Sequence, residues 1–230
     1  TLIGDNYASG TFSLSANGGS IYGQEGSSVA ADSLVLMADH DIGTVNAPVW
    51  FSANSLTTVA NGYDGTNGDV YLGTNGDVTI SGTLSAKGTY GLTVNGGSII
   101  EGTEGLISAD AVYLVADGSI GSSDAAIAMH TNRVTASSSG GDVYLSNDQS
   151  LAIAGENAAQ GTYSLTVAGA LTNDPTRISA TDVVLTADSI GSALDPIVVN
   201  ATNLTAQATA GSAYLASVGD IYLKGQNSAS

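Results

Sequence analysis

Two histidines, a set of recurring acids and a few outward aromatics are the residues of this chain whose types and spacing could do chemistry. His40 sits between Asp39 and Asp41, a carboxylate-flanked imidazole of the kind that could bind a metal or move a proton. A solvated corner histidine is the simpler reading, because the matching positions elsewhere in the chain are Gly118 and a deletion near Ser189. His130 follows Met129 at a strand end, with Thr131 and Asn132 beside it and no acid close in sequence. Asn67-Gly68-Asp69 and Asn75-Gly76-Asp77 are oxygen-rich turns, which makes Asp69 and Asp77 the candidate calcium ligands. They fall short of the nonapeptide calcium-roll pattern, so structural turns remain the competing reading. Tyr71, Tyr144 and Tyr214 stand at outward strand positions and could contact a partner, and Trp50 could mark a lateral contact.

These residues are carried by a repeat. Gly10-Thr11-Phe12-Ser13-Leu14 returns as Gly88-Thr89-Tyr90-Gly91-Leu92 and as Gly161-Thr162-Tyr163-Ser164-Leu165. Leu34-Val35-Leu36 answers to Val112-Tyr113-Leu114 and Val183-Val184-Leu185, and Ile42-Gly43 to Ile120-Gly121 and Ile190-Gly191. Copies of one unit therefore run over about 10–87, 88–160 and 161–230, within a single continuous domain spanning 1–230. Acids recur with the repeat: Asp32, Asp110 and Asp182 each precede the Leu-Val-Leu class of strand. A catalyst would be expected in one copy only, so recurring acids read as corner residues.

Composition restricts the fold and the partners. Hydrophobic residues make up 43% of the 230-residue chain, enough for a continuous core, and they come in short Val, Leu, Ile and Ala bursts between Gly, Ser, Asn, Asp and Thr. The net charge of −17, with only Lys87, Arg133, Arg177 and Lys224 as cations, argues against nucleic acid and against an anionic membrane surface. Membrane insertion is not expected, because no apolar run is long enough for a helical span. With no cysteine, disulfides and thiolate chemistry are absent.

Each unit divides into three coils with short strands that alternate inward and outward residues. In the middle copy the first coil takes Leu92-Thr93-Val94, Ser98-Ile99-Ile100 and Leu106-Ile107-Ser108. The expected fold is all-β: a right-handed parallel β-helix of triangular section, with about nine coils in three super-repeats of three, roughly 45 Å long. A β-sandwich is the competing architecture, but its strands have individual roles and would not recur with like side chains. On this reading Tyr71, Tyr144 and Tyr214 come once per three coils, about 14 Å apart.

The run Leu185-Thr186-Ala187-Asp188-Ser189-Ile190-Gly191-Ser192, continuing through Asp195-Pro196-Ile197-Val198-Val199 to Asn203-Leu204-Thr205-Ala206, resembles the repeats of filamentous haemagglutinin and related large bacterial exoproteins. Gly68-Asp69-Val70-Tyr71-Leu72 and Gly76-Asp77-Val78-Thr79-Ile80 are similar to the later part of those repeats. The resemblance implies a secreted, bacterial cell-surface or extracellular rod that mediates adhesion or aggregation, with host or cell-surface glycans or proteins as partners. It supplies no catalytic residues. Lys224 to Ser230 aligns with Ala154 to Gln160, which suggests a window of a longer array or a subunit stacking end to end on another copy. Carbohydrate-active β-helix enzymes and calcium-stabilised binding modules are the alternatives.

Overall fold

A computed structural model describes residues 1–65 and 67–230. Among them there are only strands, turns and bends, stacked as a parallel β-solenoid of about ten turns. Every pairing between named strands is parallel, and most strands face a partner 20 to 22 residues on: Leu14 pairs with Leu36, Leu92 with Leu114 and Leu165 with Leu185. Parallel stacking satisfies strand N–H and C=O groups along the axis, where neighbouring turns lie ~4.8 Å apart.

Two ladders run the length of the rod. Along side one, Ile42 pairs with Val70, Val70 with Tyr90, Tyr90 with Val112, Val112 with Val134, and Val134 with Ile153. Along side two, Val78 pairs with Ile99, then Ile120, Val143, Tyr163, Val183 and Leu204 follow in order. Three strand segments occur in the coil formed by Thr89–Asn95, Ile99–Glu101 and Leu106–Ser108, as the sequence suggested. The last two nevertheless register onto one strand, Val143–Asn147, through Ile120 and Met129. The section therefore has two long sides joined by corners.

These ladders change the phase of the repeat. Tyr90 lies on side one and Tyr163 on side two, three full turns plus a half-turn further on. Each copy thus advances three and a half turns, not three, and successive copies present the same residues on opposite sides. Insertions hide this in the sequence, because six residues (43–48) separate Ile42 from Val49 while their partners Val70 and Leu72 are two apart.

Inward residues of both sides meet in one core. Leu34, Leu36, Val112, Leu114, Val183 and Leu185, all read from the repeat as core strand positions, are buried. The largest fully buried side chains are Tyr90 and Tyr163, at the position where the first copy has Phe12. Burial pushes both phenols well above the usual tyrosine range. Tyr163 donates to Asn157 Oδ1 at 2.9 Å, and the Tyr90 hydroxyl meets Thr58 Oγ1 at 3.2 Å.

Candidate functional site

Where the chain turns a corner its backbone groups must still find partners, and at several turns short polar side chains supply them. On the corner entering side one, Ser20 Oγ accepts the N–H of Asp41 at 3.2 Å, Asp41 Oδ1 that of Asp69 at 2.9 Å, and Asp69 Oδ1 that of Thr89 at 2.7 Å. On the corner entering side two, Asp77 Oδ1 accepts from Ser98 at 2.8 Å, Ser98 Oγ from Ser119 at 3.0 Å, Ser119 Oγ from Asp142 at 3.2 Å, and Asp142 Oδ1 from Thr162 at 2.6 Å. Asp69 and Asp77 thus belong to different corners, where each holds an amide of the next turn. The structure does not bring them together. Among the described residues no three His, Asp or Glu side chains converge in a way that could hold a metal.

The recurring acids before the Leu-Val-Leu strands have a second pattern. Asn54, Asn132 and Asn203, one turn later, donate to Asp32, Asp110 and Asp182 at 2.7, 2.8 and 2.9 Å. Carboxylate is followed by carboxamide, so like charges do not stack ~4.8 Å apart in these columns. Lys224 Nζ, 3.1 Å from Asp182, and Asn203 hold the Asp182 carboxyl below its ordinary range. Glu101 moves the other way, raised by burial even though its Oε2 accepts the N–H of Ala128 at 3.1 Å.

Both histidines depart from the sequence reading. His40 is not a solvated corner residue: it is half-buried, and its Nε2 is enclosed without a hydrogen-bond partner among the described residues. On either side of it, the Asp39 carbonyl accepts the N–H of Tyr63 at 2.9 Å and Asp41 Oδ1 that of Asp69 at 2.9 Å. His130 does have an acid, because Asp148 lies one turn on and its Oδ1 is 2.7 Å from Nδ1. Beside it, Gln149 Nε2 donates to Asn132 Oδ1 at 3.1 Å. Lys87, Asp110, His130, Asn132 and Gln149 line a shallow cleft that mixes both charge signs.

The aromatic positions form a surface of their own. Trp50 and Tyr71 are half-buried on side one, and each ring lies across a glycine of the next turn. A Cβ added at Gly73 would meet Trp50 Cε3 at 2.9 Å, and one at Gly91 would meet Tyr71 Cδ1 at 2.6 Å. Tyr113, which pairs with Gly91 from the other side and is exposed, extends the strip. Sequence reasoning passed over Tyr113, although its separation from Tyr71 is two turns of the solenoid. Tyr144 is half-buried on side two, and Tyr214 is exposed on side one. The three tyrosines therefore do not form the single evenly spaced row that a three-turn repeat implied.

A small hairpin marks each copy just after its Ile-Gly step. Thr44 and Ala47 exchange backbone hydrogen bonds, as do Ser122 and Ala125, and Ser192 and Asp195. Their hydroxyls at Thr44, Ser122 and Ser192 accept the same second amide at 3.1, 3.2 and 3.1 Å. The tips carry Val45 and, fully in solvent, Leu194. No family model matches the chain, and neither a curated protein nor a solved structure matches it.

Proposed function

We infer that the chain is a structural segment of an extracellular or bacterial cell-surface fibre used for adhesion or aggregation, of the filamentous haemagglutinin type. The observation that carries this reading is the use made of the repeated polar residues. Corner acids, asparagines and serines are occupied with turn-to-turn hydrogen bonds, while side one offers the strip Trp50, Tyr71 and Tyr113 to a partner. Aromatic surface of this kind suits stacking on sugar rings or on protein side chains. Self-association is part of the same proposal: another stretch of parallel solenoid can continue the ladders by strand pairing.

Beads coated with the protein are expected to be retained by bacterial or host cells, and the triple variant Trp50→Ala, Tyr71→Ala, Tyr113→Ala to lose most of that retention while keeping its β-sheet circular dichroism. Unchanged retention of the variant, or none by the unmodified protein, sinks the reading. The cleft that holds Lys87 and His130 favours a second reading, a carbohydrate-active solenoid, because these two residues are not repeated. New reducing ends or unsaturated products from polysaccharides, lost in His130→Ala, would replace the first reading with this one.

A further inference from the structure

Five Asn-Gly steps lie in this chain, at Asn17, Asn61, Asn67, Asn75 and Asn95. Asn-Gly is the dipeptide most open to spontaneous deamidation, since glycine puts no side chain in the way of its own nitrogen. The glycine N–H loses its proton and the nitrogen attacks Asn Cγ, forming a C–N bond as ammonia leaves. Water then opens the succinimide at either carbonyl to give aspartate or isoaspartate. Isoaspartate adds a backbone carbon, which at a solenoid corner shifts the register of the strand that follows.

Asn17 and Asn95 occupy the same position in the first two copies, and both are exposed. In each case the reacting nitrogen is already engaged. Gly18 N–H donates to Asp39 Oδ2 at 2.6 Å, and Gly96 N–H donates to Asp117 Oδ2 at 2.7 Å. The other carboxylate oxygen is tied to the following turn, by Asn61 Nδ2 to Asp39 at 3.4 Å and by Ser139 Oγ to Asp117 at 3.1 Å. Each acid is thus fixed between the turn before and the turn after. The third copy sharpens the correlation. There Ala168 stands in place of the asparagine, and Asp188 turns to Thr209 Oγ1 at 3.2 Å while its own N–H goes to the Gly169 carbonyl.

We propose that Asp39 and Asp117 protect Asn17-Gly18 and Asn95-Gly96 from deamidation by holding the glycine N–H against a negative charge. A carboxylate on the amide makes its proton harder to remove, and the short bond must break before the nitrogen can turn on the side chain. Asn75-Gly76 is the built-in contrast, because the Gly76 N–H is held at 2.8 Å by the neutral carbonyl of Asn95. The unmodified protein should therefore gain mass at Asn75 before it does at Asn17 or Asn95.

The test is peptide mass mapping after incubation in mildly alkaline buffer at physiological temperature, following the one-dalton gain at each asparagine. Loss of one charge-assisted hydrogen bond should speed the freed site about tenfold. Asp117→Ala is expected to do this at Asn95 and leave Asn17 unchanged, and Asp39→Ala the reverse. Asp117→Ser keeps a short neutral hydrogen-bonding side chain without the charge and creates no new Asn-Gly step before Gly118, and a rise at Asn95 with unaltered circular dichroism supports the carboxylate's role. The proposal is overturned if neither Asp117 variant speeds Asn95, or if each variant speeds both sites equally, which would mean general loosening.

Discussion

The outer copies and the central copy solve the same corner in different ways. In the outer copies the strands Ser28–Ala38, Val49–Ala60, Arg177–Ala187 and Ile197–Ala208 run through it unbroken for 11 or 12 residues. Small residues at the bend, Ala31, Ala53, Ala180 and Ala201, let the backbone pass from one side to the other without losing its ladder. In the central copy the equivalent strands are interrupted, as Leu106–Ser108 then Ala111–Ala116, and Ile127–His130 then Arg133–Ser138. Backbone groups freed by the break must be satisfied by side chains. Asn147 does this from inside: its Oδ1 accepts the Thr131 N–H at 3.0 Å, and its Nδ2 donates to the carbonyls of Thr131 and Gln149 at 3.0 and 2.9 Å. Thr131 Oγ1 lies 3.0 Å from the carbonyls of both Asp110 and Arg133. This corner can thus be a bent strand or a polar knot, and of these two the knot depends on particular side chains.

The largest effect is expected at the knot. Asn147→Ala removes three hydrogen bonds at a site 1% exposed and strands the Thr131 amide and carbonyl, at a cost of about 2–4 kcal/mol. Urea unfolding followed by circular dichroism measures it. Because a stack of turns need not unfold in one step, a separate early transition of the central turns is the anticipated form. A loss below about 0.5 kcal/mol would place the central corner with the bent-strand kind.

The hairpins test whether the copies differ anywhere else. Gly43, Gly121 and Gly191 have φ of 69°, 69° and 62°, and an added Cβ would come within 2.3, 2.6 and 2.5 Å of the carbonyls of Tyr71, Tyr144 and Tyr214. Alanine at each should cost about 2 kcal/mol or more, and nearly the same amount in all three copies, read as the shift in urea midpoint. A much smaller cost in the central copy would show that its looseness extends beyond the corner.

A smaller and pH-dependent difference separates the first copy from the other two at the Phe12, Tyr90 and Tyr163 position. Both buried phenols are raised above the value near 10 that they have unfolded, so above about pH 10 the unfolded chain loses protons that the folded chain keeps. Stability is fully present below that pH and falls as pH rises through it. Tyr163→Phe should cost about 1 kcal/mol at neutral pH through its bond to Asn157, and it should flatten the alkaline loss seen in a pH series of urea midpoints. An unaltered alkaline slope in a Tyr90→Phe, Tyr163→Phe double variant would assign the loss to other groups.

What the sequence made legible follows from which distances are fixed within one strand. Period-two alternation at Val112-Tyr113-Leu114 gives core and surface directly, and the order of landmarks in three copies gives stacking. Pairing between turns depends on turn length, which varies with each inserted hairpin. For that reason the half-turn phase, the division of Asp69 and Asp77 between two corners, and the Asp148 partner of His130 could not be read from spacing alone. Tyr113 was readable as outward but not as a neighbour of Tyr71, since Gly91 lies between them on the ladder.

His130→Ala gives the smallest expected effect and the cleanest division of the knot from its surroundings. The side chains of His130 and Asp148 are 51% and 62% exposed, so solvent and salt weaken their attraction, and a pair of this kind contributes at most about 0.5 kcal/mol. Its backbone, unlike that of Thr131, stays paired with Ser108 when the ring is removed. The Thr131–Asn147 bonds also remain, so the urea midpoint should hardly move and the early transition of the central turns should keep its place. A loss as large as that of Asn147→Ala would reverse the assignment. The exposed pair would then hold the corner, with the buried amide only filling it, and the distinction between bent strand and polar knot would have to be redrawn around surface charge.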